Sequence, residues 1–447
     1  MIPKPAKGGH LLAVLGTLFG LSVAIGNTIG SGILRAPGEI AGLLGDERLF
    51  ILVWIVGALY ALLGANMFAE LAAMIPESGG HTVYVRRGLG PYAGFVVAWS
   101  DWLSTCGSIS IAALVIGESA RSFIAVPPLV TASFVIAGLS VIQLRGVKTA
   151  GRTQVLTALL KTVAFVALVI ACFAASAPAR GAGVAEAAPA VAVAKPAGMA
   201  LLFALVLAMQ AVIFTYDGYY GAAYFGGELK YPARDIPRSI FGGVLAVAAV
   251  YLLVNLAFLH VLGIQRMAGV TLVAVAAAGA IFGAKGAGLV NILTIVSLLS
   301  AVNAFQLIAS RILYRLGARG FVPAASAVNT GGTPTVALLM TTVVTLALIW
   351  TGTFEMVLAL TAFFFVAQYT LDFASLLVLR SREPAAPRPF RAWGHPWTTW
   401  GVLLLSVCFL AGAAAADTRN SIYSLGLLAA SYPVFSFLRR GKDVADA

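Results

Sequence analysis

Apolar residues run through this chain in long blocks separated by short polar joints. The blocks fall near residues 11–34, 49–74, 91–119, 128–144, 152–176, 198–225, 238–263, 287–313, 334–351, 354–379, 398–416 and 420–438. Most approach or exceed the roughly 20 residues that a helix needs to cross hydrocarbon, and tilt absorbs the excess. None shows the period-two alternation of a barrel strand, and in lipid each segment must satisfy its own backbone groups. The pattern therefore predicts an all-α polytopic membrane protein with about twelve transmembrane helices.

Two of the blocks are interrupted. GNTIGSG, residues 26–32, breaks the first, and TYDGYYGAA, residues 215–223, breaks the sixth. These blocks lead two successive sets of five, as in a 5+5 inverted repeat over 11–176 and 198–380, with 398–438 supplying two peripheral helices. The halves share no residue-by-residue similarity, so the repeat rests on position alone. Unwinding at membrane depth frees N–H and C=O groups, which is tolerated where they line a cavity. The resumed half-helix offers free N–H groups and a positive dipole end to a carboxylate, and the stranded carbonyls suit an ammonium. The alternative for the first break is a small-residue packing face of Gly16, Gly20, Gly26 and Gly30. Against that stands the second break, where an intramembrane Asp sits beside glycines and aromatics.

Composition narrows the class. The chain has 447 residues, of which 60% are hydrophobic and 10% charged, and its mean hydropathy is +0.95. No large soluble domain fits. The formal net charge of +12 does not point to nucleic acid, because the basic residues form no stripe or patch. They favour alternate joints, as in Arg86 and Arg87, Arg145 and Lys148, or Arg311, Arg315 and Arg319. Positive joints stay cytoplasmic, which predicts that both termini lie in the cytoplasm. Lys4 and Lys7 precede an apolar run in the manner of a signal peptide, but no small-residue cleavage site follows, so the run reads as the first span. Cys106, Cys172 and Cys408 all fall inside spans and act as small apolar residues rather than a disulfide framework. His260 and the other three histidines lack metal-ligand spacing, so neither a metal nor any other cofactor is expected. An enzyme would need a nucleophile with a base, a phosphate loop or a metal cluster, none of which is visible.

The interrupted segments and two joints resemble the amino acid–polyamine–organocation superfamily, in its L-amino-acid-transporter-like branch. GNTIGSGIL is similar to that family's first-helix motif. PESGGHTVYVRRGLGPYAGFVVAW (76–99) resembles the loop after helix two, FTYDGYYGAAYFGGELKYPARDIPRSI (214–240) the broken sixth helix and its exit, and RPFRAWGHP (388–396) the linker before helix eleven. The four occur in order, and the likeness runs from about residue 15 to about 400. It implies a LeuT-type fold and a secondary transporter of amino acids in the cytoplasmic membrane. It also implies that Ser31, Gly32 and the Gly30 backbone hold the substrate carboxylate. The carbonyls around Asn27, Thr28, Phe214 and Asp217 would receive the amine, and Phe214 would close over the substrate. Asn303 matches a position near the site, where the alternative role is helix-helix hydrogen bonding.

Lys161 lies too deep in helix five for easy snorkelling. In the resembling family a Lys here takes the place of a sodium ion, so its ammonium would tie helix one to helix eight, with Ser297 or Ser300 supplying a hydroxyl. A fixed tie, a coupling proton and a snorkelling side chain remain open for it; either of the first two argues against sodium dependence. Asp101, Glu118 and Asp372 are expected at interfacial or paired positions and carry no assigned role. Some superfamily members have a Glu where this chain has Tyr220, so that residue's proton-sensing role does not transfer. The loop ESARSFIAVPP lacks the Cys by which animal members join a glycoprotein, so no heavy-chain subunit is expected. The expected partners are the bilayer and a small amino acid, with the chain a monomer or homodimer. Neutral L-amino acids are the favoured substrate, with exchange or proton coupling both open. The alternatives are a cationic amino acid or polyamine exchanger using Asp217, a non-transporting amino acid sensor, and an ion channel.

Overall fold

The computed structural model describes residues 14–121, 123–174, 195–351, 354–416 and 418–445. Those residues are almost entirely helical, with only isolated bridges and no extended strand among them. The first apolar block forms two helices, α1 (Thr17–Thr28) and α2 (Ser31–Leu44). Then follow α3 (Glu47–Met74), α4 (His81–Leu89), α5 (Pro91–Ala120), α6 (Pro128–Leu144), α7 (Val147–Ala174) and α8 (Gly198–Tyr216). The remainder comprises α9 (Pro232–Leu262), α10 (Val273–Ala318), α11 (Thr335–Thr351), α12 (Phe354–Arg382), α13 (Trp397–Ala416) and α14 (Thr418–Ala445).

Local chemistry sets many of the boundaries. The Asp46 side chain accepts from the Arg48 and Leu49 amides at the start of α3, satisfying donors that a helix start leaves free. Pro91 and Pro232 open α5 and α9 at positions that need no N–H. Because of that proline, α9 begins six residues before the apolar block expected near 238. Gly283, at φ 65°, ψ −159°, divides α10 into a short leading helix and the eighth span.

Burial separates an inner bundle from a rim. The apolar windows of α5 and of the α1–α2 pair are 83% and 71% buried, whereas those of α7 and of α14 are 28% and 22% buried. Around α7, Leu156, Leu159, Leu160, Val163, Val166 and Ile170 all face outward. An apolar belt of that extent belongs against lipid, since in water it would be an aggregation surface. α10 packs along α5 and α7, α1 lies against α9 and α7, and α2 lies against α8, so the two interrupted spans stand at the centre. Cys106, Cys172 and Cys408 are free, the first two buried and the third exposed.

Candidate functional site

The first interruption is narrower than its sequence indicates. Gly26, Asn27 and Thr28 remain in α1, and only Ile29 and Gly30 leave the helix before α2 resumes at Ser31. The glycines divide between two tasks. A Cβ on Gly20 would meet the Ser239 side chain at 2.8 Å, and one on Gly26 would run into Gln154, so these two serve close packing. A Cβ on Gly30 would make only ordinary contacts, the nearest to Ala301 at 3.9 Å, so crowding does not demand glycine there. A Cβ on Gly32 would sit 2.9 Å from the Thr215 backbone, so Gly32 lets the start of α2 touch the end of α8.

In the sixth span the helix ends at Tyr216, and Gly218 turns the chain at φ 103°. A Cβ there would meet Asn27 Cγ at 2.8 Å, so both conformation and space demand glycine. Asn27 Nδ2 donates to the Gly218 carbonyl at 3.1 Å, joining the two breaks directly. The Tyr251 hydroxyl of α9 bridges them a second time, 2.7 Å from the Thr28 carbonyl and 3.0 Å from that of Thr215.

Between the breaks lies a small cavity lined by Asn27, Thr28, Gly30, Gly32, Ser108, Ile111, Ala112, Phe214, Thr215, Asp217, Phe305 and Phe365. Phe214 stacks against Phe365 at 6.3 Å between ring centres. Among the described residues, Asn27 Oδ1 and the Ser108 hydroxyl of the lining have no protein partner, and the N-cap of α2, Gly30, brings no side chain to cap its first N–H groups. By contrast the Thr28 and Thr215 hydroxyls are spent on carbonyls of their own helices at 2.8 and 2.7 Å. Asp217 Oδ1 accepts from Tyr220 at 3.0 Å and also from Tyr369.

The structure thus gathers Asn27, Thr28, Gly30, Gly32, Phe214 and Asp217 around one cavity; the Ser31 side chain lies outside the described ones. Asn303 is not part of the lining. Its Nδ2 donates to Gln154 Oε1 at 2.8 Å and its side-chain oxygen accepts from Gln143 at 3.1 Å, linking the fifth, eighth and fourth spans. Lys161 is completely buried, and its ammonium donates to the Gly26 carbonyl at 3.1 Å and to that of Ile29. The expected tie from helix one to helix eight is therefore a tie to helix one only. Ser300 accepts instead from Gln154 at 3.4 Å, and the Ser297 hydroxyl has no partner. The physical reason is that the break supplies two carbonyls the helix cannot satisfy, and they outcompete a hydroxyl for the ammonium. Sequence reasoning missed Ser108, Tyr251 and Gln154; each is a polar residue within an apolar block, which was the available signal. Asp101 and Asp372, expected at interfacial or paired positions, are completely buried and paired with Tyr224 and His81, and Glu118 is exposed.

A buried ion pair joins the segment after the sixth-span break to α10. Arg311 holds Glu228 through two bonds of 3.0 and 2.9 Å, both side chains fully buried. The Leu15 amide donates to the Glu228 carbonyl and the Lys230 amide to the Leu15 carbonyl, at 3.0 and 2.9 Å. Thr17 donates to Asp235, and Arg315 pairs with Glu77. In the joints outside the spans, the Lys195 ammonium and the N-terminal amides of α3 hold the Asp46 carboxyl below the usual range. Arg87 does the same for Glu383.

A bundle of apolar helices around two interrupted spans, with a small polar-tipped cavity between the breaks, defines the class of helical membrane transporters. The amino acid permease family matches this chain over residues 15–430. The chain belongs to that family. It is 25% identical to the serine/threonine exchanger SteT of Bacillus subtilis, over 96% of this chain and 97% of that protein. It is 27% identical to the large neutral amino acids transporter small subunit 2 of Oryctolagus cuniculus, over 87% of this chain and 74% of that protein. It is also 28% identical to the Asc-type amino acid transporter 1 of Mus musculus, over 84% and 72% respectively.

Proposed function

We propose that this chain exchanges small neutral L-amino acids across the cytoplasmic membrane by alternating access, without sodium. The observation that carries the reading is the pairing of unsatisfied polar groups with a largely apolar wall, whose acid, Asp217, already accepts from two tyrosines. The free N–H groups at the start of α2 suit a carboxylate, and Asn27 Oδ1 suits an ammonium. The side chain would then face Ser108, Ile111, Ala112, Phe305 and Phe365, with Phe214 as the lid.

Asp217 is the one acid in the lining, and it keeps a cationic amino acid or polyamine as the second reading. Two tyrosine hydroxyls already occupy its Oδ1, which favours a neutral side chain. The names of the similar proteins, a serine/threonine exchanger and neutral amino acid transporters, point the same way. Lys161 acts in this scheme as the fixed cation that replaces sodium, and a coupling proton is its alternative. We also propose the 5+5 inverted repeat over 11–176 and 198–380, cytoplasmic termini, and function without a heavy chain as monomer or homodimer. On that topology the Glu228–Arg311 pair lies toward the cytoplasm and would close the inner side of the carrier.

The test is uptake of a panel of labelled L-amino acids, including serine, alanine, leucine and arginine, into proteoliposomes without sodium. Uptake of neutral amino acids only into preloaded vesicles is the expected result. Uptake of arginine alone would move the substrate to the cationic class. Binding without uptake of any amino acid would replace the transporter by a sensor.

A further inference from the structure

A second polar cluster adjoins the cavity and shares one residue with it, Asp217. His81 Nδ1 of α4 is 2.5 Å from Asp372 Oδ2 of α12, and the two side chains are 1% and 0% exposed. The Tyr224 hydroxyl donates to Asp101 Oδ2 of α5 at 2.7 Å. Tyr220 and Tyr369 donate to Asp217 Oδ1. The His81 ring binds these parts together, its centre 4.4 Å from that of Tyr220, 5.6 Å from Tyr224 and 6.1 Å from Tyr369. Four buried atoms in and around the cluster have no partner: His81 Nε2, Asp372 Oδ1, Tyr219 OH and Tyr84 OH.

The charges do not balance. Three carboxyls and one imidazole are buried, and the ion pair found for them among the described residues is His81–Asp372, within the cluster itself. The facing titratable groups on the surrounding elements are the tyrosines Tyr60 and Tyr84 of α3 and α4, Tyr219, Tyr220 and Tyr224 of the segment after α8, and Tyr369 of α12. With His81 charged and all three carboxyls ionised, two negative charges would remain uncompensated in a low-dielectric interior, which a buried site does not sustain. The cluster therefore retains at least one further proton.

We infer that the His81–Asp372–Asp101–Asp217 cluster is a proton-binding site whose occupancy holds the inner side of the carrier shut. Its members come from α4, α5, the segment after α8 and α12, so opening that side separates them and admits water. A proton bound to the closed cluster then leaves to cytoplasmic water, and closing takes one back. Asp217 also lines the substrate cavity, so an ammonium arriving there competes with the proton for the same negative charge. Linkage requires that raising internal pH favours the opened form.

The site itself is tested without substrate, by infrared difference titration of the purified protein in liposomes. The expected result is a protonated-carboxyl band at neutral pH that is lost or diminished in at least one of Asp101→Asn, Asp217→Asn and Asp372→Asn and displaced in His81→Gln. A band that none of these changes alters, or no band at all, overturns the proposal. The coupling half rests on the transport reading, and is tested by exchange of labelled L-serine against internal pH between about 5 and 8. Exchange by the unmodified protein should rise several-fold across that range, and the profile should flatten in His81→Gln and in Asp372→Asn. The latter keeps an oxygen for His81 and so guards against a folding defect. Identical profiles in all three proteins overturn the coupling. Failure of the unmodified protein to exchange any amino acid sinks the transport reading instead, and the infrared result alone decides the proton site.

Discussion

Tyr251→Phe removes one oxygen and nothing else, which makes it the sharpest probe of how the two breaks are held. The hydroxyl is fully buried and stands between the Thr28 and Thr215 carbonyls, at 2.7 and 3.0 Å. Both carbonyls lie in the last residues of helices that end there, beyond the reach of intrahelical donors. A hydroxyl has one proton, so one of the two bonds is made at a time. Leaving a buried carbonyl without a donor costs about 1–3 kcal/mol. The Phe ring preserves the packing against Trp54 and Tyr216, whose centres lie 5.8 and 5.1 Å away. The penalty therefore falls on the alignment of the breaks and not on the core. If the breaks form the substrate site, that loss appears in affinity as a factor between about 5 and 150. The same energy lowers the midpoint of thermal unfolding by only a few degrees, since about 1 kcal/mol moves domains half this size by roughly 2–4 °C. Scintillation proximity binding of labelled L-serine, with thermal unfolding in parallel, separates the two readouts. Unchanged affinity together with an unchanged midpoint would refute the bridging role, and a lowered midpoint with unchanged affinity would make the bridge purely structural.

Lys161→Met keeps the aliphatic stem and deletes the ammonium that serves Gly26 and Ile29; exchange should fall at least about tenfold, the effect of losing roughly 1.4 kcal/mol, and added sodium should not restore it. Gly218→Ala meets both a positive φ of 103° and the Asn27 side chain, so amino acid binding should be lost with about 1–3 kcal/mol of destabilisation. Gly138→Ala, which has no neighbour within 4 Å in α6, should be neutral or slightly stabilising in the same assays. Arg87 depresses the Glu383 carboxyl, so the pair contributes above the unfolded carboxyl range and is lost as pH falls through the folded value. Glu383→Gln should cost less than about 1 kcal/mol at neutral pH, because the pair is exposed, and the difference between the two proteins should vanish in acid.

The apolar blocks read from the sequence correspond to the long helices, because a span in lipid must be both apolar and self-satisfied over its whole length. α4 was not foreseen: its nine residues mix His, Thr and two Arg with a few apolar ones, and a helix that short has no periodicity to read. GNTIGSG and TYDGYYGAA marked where the chain breaks, since glycine and a buried acid are costly in a lipid-facing helix and stand out there. The extent of the first break was not legible. Lys161 and Tyr251 fasten the freed carbonyls from partners more than 130 and 220 residues away, which lets the helix run on to Thr28.

The sequence by itself determined the class of the protein, which two central spans are interrupted, and the residue types found beside the breaks. Tertiary structure alone decided which polar groups are spent and which are free. Asn303 turned to Gln154 and Gln143 and left the cavity, while Ser108 entered it unpartnered. His81 met Asp372 across 291 positions of chain. Periodicity reports the face a residue presents to its own helix axis. The partner it finds across the bundle depends on how several helices pack at once, and no local pattern carries that information.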